Sequence, residues 1–511
     1  MSEQGIFSAF FPISELELTV KDFVCENFKY FHQTVDQQIN RLLKLLRDDI
    51  NCYIEYPYVD KVYRNSYYNF YSTKHNLTFR DCARISFFSS LVMQKYFRDE
   101  KYFNIIEKEY LGFITIRPTL PNIIGRSMLS PNSYKENNWM CCYTNSNEVV
   151  NGVRLNVQAF PHSSQDKETI TCAETTIWSV MEYFGSKYPE YKPILPSKII
   201  ETLSHQSFER QLPSHGLTAE QISYALKEFG LGTRLYSIQE KNNGNLYPEE
   251  EFRRLLGYYI ESGIPIVAAI ENKYIGHAIV IIGHTFVDHN KINLSHYKPT
   301  KIKVNDHTLN LYDYVDFITD YVVIDDNMPP YNIAPFNNPT KNYNSEHFKN
   351  CVIKNFIAPL YNKIYLEAGG ARELIISYLE AFDHNLPGKD IIFKLFYTSS
   401  RSFKAELNGK MNLNIDATNV ILNSTMPKFI WLGIFTNKKL IKESKANGMV
   451  IIDATEPNNR DSRILMVSPN GITVNNPHAD PKNKLDVISI RIENFNIFAN
   501  NLKKAGKNGK T

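Results

Sequence analysis

Apolar positions recur at helical spacing early in the chain. Val35, Ile39, Leu42, Leu43 and Leu46 follow at intervals of four, three, one and three, which draws one apolar helix face. Short runs rich in β-branched and aromatic residues come next, at 53–58, 84–88 and 111–117, the last halted by Pro118, and predict strands. Residues 1–149 therefore read as an α+β region of unknown role. From 150 to 335 the punctuation becomes regular. A helix is predicted over 172–184, with Ile177, Val180, Met181 and Phe184 on one face and Gly185 just past its end. A second covers 218–229, opened by a Thr218/Gln221 capping box and closed by Gly230. A third starts near Pro248, buries Phe252, Leu255, Leu256 and Tyr259, and stops at Gly263. Strands are expected at 264–270, 276–286 and 321–324. Helices first and an antiparallel sheet afterwards is an α+β order. The polar stretch NNPTKNYNSEH reads as a connector at 337–347, and 336–511 reads as a third α+β region of unknown role. It holds a helix at 371–382 and strands at 390–397, 428–435, 448–454 and 463–467, before a Lys/Gly/Asn-rich tail at 503–511 that should fray.

Composition narrows the class. The 511 residues suffice for roughly two to four domains. The balance of 57 Lys+Arg against 54 Asp+Glu gives a net charge of +3, too small for a general nucleic-acid or membrane-surface field. No GxxxxGK[ST] loop and no GxGxxG after a strand supports nucleotide binding, and no cofactor is expected. The first twenty residues lack the basic start and unbroken apolar stretch of a secretory signal. Seven cysteines, odd in number and without a C-x-x-C pair, suit neither a disulfide framework nor a zinc ribbon. The expectation is a cytoplasmic protein with reduced thiols and no membrane partner. The vicinal Cys141-Cys142 pair reads as strand packing. His284, Asp288 and His289 lack a common ligand spacing, so no metal is assigned there.

Candidate chemistry lies in the middle region. Cys172 opens the best-marked helix, where unpaired N–H groups and the helix dipole favour a negative sulfur. His277 leads the apolar strand GHAIVIIG, and a buried histidine needs partners for both ring nitrogens. Gly276 before it leaves room for a substrate backbone. His284, seven residues on, is expected on the opposite strand face. The strand YVVIDDN delivers Asp325 and Asp326 at its end, and one of them can hold the imidazole tautomer. Alternation along the strand lets only one reach His277. Asp325 is favoured, with Asp326 directed toward Asn327 and the Pro329-Pro330 turn to cap backbone N–H groups. Gln165 stands seven residues before Cys172, where an amide donor can join the Cys172 N–H in an oxyanion hole.

The stretches SSQDKETITCAETTIWSVMEYFG, GHAIVIIGH and YVVIDDN together resemble the glutamine-and-cysteine, histidine and aspartate motifs of papain-like cysteine peptidases, most closely the bacterial C39-like branch. The resemblance covers residues 150–335 and implies a papain-like core. It also implies Cys172 as nucleophile, His277 as general base and acid, Asp325 as orienting residue with Asp326 as the alternative, and Gln165 as oxyanion donor. Ala173 stands where the family usually has Gly, and the 48-residue interval from His277 to Asp325 implies an insertion around 287–320. The implied activity is hydrolysis of a protein or peptide amide. The same chemistry serves a transglutaminase-like acyl transfer or an amidase, and an inactive fold used for binding is a third reading. The flanks are then free for substrate recognition, docking of a protein partner or autoinhibition.

Overall fold

The computed structural model describes residues 7–505 except 29–32, 76–77, 120–121, 207–211, 213–215, 239–246, 305–306, 382–387, 458–461, 476–484 and 499–500. The Val35 side chain, Phe382 and the tail beyond Ala505 lie outside them. The fold is mixed α+β with largely antiparallel sheets. The expected helices and strands form close to their predicted limits. The Thr218/Gln221 capping box closes as the spacing required, with Gln221 N–H donating to Thr218 Oγ1 at 3.3 Å and Thr218 N–H to Gln221 Oε1 at 2.9 Å.

A five-stranded meander opens the chain, running in sequence order through Phe7–Pro12, Ile50–Tyr58, Cys82–Ser89, Tyr110–Ile116 and Ile124–Leu129. The central sheet orders Asn332–Pro335, Asp320–Ile324, Gly276–Thr285, Ile266–Glu271, Val352–Tyr361 and Leu231–Ser237 side by side, all antiparallel. It also takes Trp139–Cys141 from the first region and Lys503–Lys504 from the far end of the chain. The changes in sequence character near 150 and 336 therefore do not coincide with sheet edges. The third sheet is built mostly from residues 390–488, but one end of it is formed by Thr300–Val304, at the edge, and His307–Asp313 beside it. These two come from the stretch 287–320, and His307–Asp313 lies parallel to Asp390–Ser399.

The helix Cys172–Lys187 is buried on every side from Ala173 to Phe184, including Trp178, Glu182 and Tyr183, so the single face read from its apolar spacing was too narrow. It also runs two residues past Gly185. That glycine is needed for clearance, since a Cβ there would lie 2.4 Å from the Pro193 nitrogen. A similar approach governs Gly283, where a Cβ would meet the Met140 carbonyl at 2.0 Å as Trp139–Cys141 packs alongside. Thr176 Oγ1 donates to the Cys172 carbonyl at 2.7 Å and reaches the Ala278 carbonyl at 3.5 Å, joining the helix to the strand that carries His277.

The central and third sheets are tied by a buried ionic group. Glu261 lies 2.9 Å from His284 Nε2 and 2.9 Å from Lys394 Nζ, its side chain fully excluded from solvent. Burial opposes its charge, but Lys394 and His284 hold the carboxyl down to about 2. Glu261→Gln is expected to cost about 3–5 kcal/mol in denaturant unfolding, because Lys394 is left uncompensated. A depressed carboxyl contributes fully above its ordinary value of 4.5. The gap between native and variant should therefore narrow as pH falls from 4.5 toward about 2.

Candidate active site

Three segments distant in sequence converge at the start of the Cys172 helix. The loop before it is shaped by Asp166, whose Oδ1 accepts from the N–H groups of Glu168 (2.9 Å), Thr169 (2.7 Å) and Ile170 (2.9 Å). Thr171 then caps the helix, its N–H donating to Glu174 Oε2 at 3.0 Å. Cys172 follows as the first helical residue and remains partly exposed.

His277 is placed by the antiparallel register, which sets Val280 opposite Ile324 and Ile281 opposite Val323. The end of one strand thus meets the start of the other, and residues 325–327 arrive beside His277. Its Nε2 lies 3.0 Å from Asp325 Oδ1. Nε2 is turned to the carboxylates, and the Cys172 side chain lies near enough to the same ring to favour its charged form. Burial disfavours the imidazolium, but Asp325, the thiol contact and Asp326 outweigh it and hold the ring well above the ordinary histidine range. Burial likewise opposes the Asp325 charge, yet His277, Tyr343 and the Asn327 N–H keep that carboxyl below its usual value. The space around Gly276 is open, since a Cβ there would touch nothing within 4 Å.

Asp326 departs from expectation. It does not turn away to cap backbone groups; its Oδ1 lies 3.6 Å from His277 Nε2, beside Asp325. The strand ends at Ile324, so both aspartates sit in a turn where strand alternation no longer separates them. Burial pushes the Asp326 carboxyl up to about 7, with His277 opposing and Asp325 reinforcing the shift. Gln165 points its amide at Asn327, donating to Oδ1 at 2.9 Å, and Asn327 Nδ2 lies 3.5 Å from His277 Nε2. His284 joins Glu261 and takes no part in this group.

Two contributions escaped the sequence. The stretch read as a polar connector folds over the His277–Asp325 pair: Tyr343 O–H donates to Asp325 Oδ2 at 2.7 Å and stacks on Phe348 at 4.2 Å. Phe348 in turn meets the His277 ring edge-on at 5.5 Å. The signal, such as it was, is that Tyr343 is the lone aromatic ring of NNPTKNYNSEH other than its histidine. The second is His162, fully buried, whose Nε2 contacts the Asp325 carbonyl at 3.2 Å and the Met328 carbonyl at 3.0 Å. The first region braces the same turn and the Gln165 loop through Tyr134 to the Pro330 carbonyl (2.9 Å), Arg117 to the Ser164 carbonyl (2.6 Å) and Asn122 to the Gln165 carbonyl (3.0 Å).

All seven cysteines are free thiols, and Cys141 and Cys142 pack beside the His277 strand, Cys142 N–H donating to the Ile282 carbonyl at 2.8 Å. No helix among the described residues is long and apolar enough to cross a membrane. No protein-family model and no curated protein sequence matches the chain.

Proposed function

We propose that this chain is a cysteine peptidase with a papain-like core, cleaving protein or peptide amides through Cys172, His277 and Asp325. The reading is carried by one observation: a thiol at a helix start stands beside an imidazole that is paired through Nε2 with a buried carboxylate. His277 takes the thiol proton as the sulfur attacks the carbonyl carbon, then returns it to the leaving amine. Water, deprotonated by the same ring, releases the acyl group from Cys172. Asp325 keeps the ring in the tautomer that presents a free Nδ1, and Tyr343 and Phe348 shield that pair from water. The chemistry requires a reduced thiol, which suits the cytoplasm.

The test is labelling of Cys172 by iodoacetamide or an epoxide of the E-64 type, located by mass spectrometry, followed by peptide turnover with and without an amine acceptor. Labelling of other cysteines in preference to Cys172 would sink the proposal. Product captured on the amine would make the enzyme an acyl transferase.

Gln165→Ala is expected to lower turnover on the order of 10²–10³-fold while leaving alkylation of Cys172 nearly unchanged, because alkylation forms no oxyanion. Asn327→Ala should produce part of the same loss, since it holds the Gln165 amide. Equal losses in both assays would instead assign Gln165 to the fold. Tyr343→Phe removes a hydrogen bond to a charged oxygen, about 1.5–3 kcal/mol. A kcat reduced roughly tenfold or more with KM unchanged is expected from steady-state kinetics.

A further inference from the structure

The Asp326 carboxylate is 5% exposed, and among the described residues neither of its oxygens has a hydrogen-bond partner. A buried carboxyl without a hydrogen bond is costly to leave charged, and beyond the His277 ring at 3.6 Å it calls for a further partner. Its surroundings supply the other half of a site. One donor atom each from His277, Asp325 and Asp326 lies within 4.8 Å of the others, with Nε2 3.0 Å from Asp325 and 3.6 Å from Asp326. Ligands around a tetrahedral zinc ion, at bonds of about 2.0–2.2 Å, stand roughly 3.3–3.6 Å apart. The two distances to Nε2 lie within a few tenths of an ångström of that range, and the two carboxylates stand no more than 4.8 Å apart.

We propose that His277, Asp325 and Asp326 bind a Zn²⁺ ion that switches the thiol centre off. Two carboxylates offset the charge of a divalent cation, and one imidazole with two carboxylates is a zinc-type donor set. Calcium and magnesium favour a shell of six or more oxygens, whereas this group offers one imidazole nitrogen and two carboxylates. A neutral imidazole that binds the ion through Nε2 carries its single proton on Nδ1. That nitrogen then has no lone pair to receive the thiol proton, and Asp325 is diverted from orienting the ring to holding the metal. Metal binding stands on this geometry alone; the inhibitory consequence rests on the peptidase reading.

The test uses the full chain, freed of metal and titrated with Zn²⁺. Native protein and Cys172→Ala should each bind one ion that Asp326→Asn binds roughly 100-fold more weakly or not at all. Saturating Zn²⁺ should slow iodoacetamide alkylation of Cys172 by about tenfold or more in the native chain and leave the rate of Asp326→Asn unchanged. Each variant is compared with itself, so any difference in basal rate cancels, and Ca²⁺ or Mg²⁺ should have no effect. X-ray absorption at the zinc edge of the native chain, which depends on no variant, should show nitrogen and oxygen neighbours without sulfur. Equal zinc uptake by native and Asp326→Asn would overturn the proposal. So would a sulfur neighbour, or loss of binding in Cys172→Ala alone. Fast, His277-dependent alkylation that Zn²⁺ does not touch would remove the switch and leave the peptidase standing. Zinc bound by a protein whose Cys172 is inert without metal would overturn the peptidase reading and the switch with it.

Discussion

Cys172→Ala is expected to abolish peptide hydrolysis while the protein keeps its melting temperature within a few degrees. The residue is partly exposed, and the helix start is held by Thr171 and Glu174 rather than by the thiol. Loss of a nucleophile or its base costs on the order of 10⁶-fold in turnover where the two act as a unit. His277→Gln should lose as much, and the double variant Cys172→Ala/His277→Gln no more than either alone. Gln is preferred to Ala at 277, because Ala would remove the donor that stands between two buried carboxylates. Residual turnover in Cys172→Ala, or clearly additive losses, would show that the sulfur and the imidazole do not share a step.

The second large effect is expected at Asp325. Asp325→Asn should lower kcat by roughly 10²–10⁴-fold, as an amide can present its N–H to Nε2 and stabilise the wrong tautomer. The side chain is fixed from three sides, by His277 at 3.0 Å, the Tyr343 hydroxyl at 2.7 Å and the Asn327 N–H at 3.0 Å, so the amide must replace the carboxylate in place. Asp326→Asn in metal-free protein should cost far less, since among the described residues its oxygens accept no hydrogen bond. The pair is compared by steady-state kinetics at one pH. The opposite ranking would transfer the orienting role to Asp326. Small and equal effects would leave a Cys172–His277 dyad.

Much of this was legible along the chain because it is local. The Thr218/Gln221 box, the apolar strand behind His277 and the placement of Cys172 at a helix start depend on residues a few positions apart, and backbone hydrogen bonding responds to that spacing directly. Other features depend on pairings across long separations. Register between Gly276–Thr285 and Asp320–Ile324 brings both aspartates to His277, and the end of the strand at Ile324 cancels the alternation that would have parted them. A polar, Asn-rich stretch carries no periodic signal, so nothing in it announced that Tyr343 would seat on Asp325. The stretch 287–320 likewise gave no sign that it would extend a sheet built mostly from residues 390–488. The sequence by itself determined the helices, the strands and the chemical types at the site, since these follow from short-range periodicity and capping. Only the tertiary structure decided which carboxylates face the imidazole and what covers them, because those choices are settled by strand register and by packing between segments that never meet along the chain.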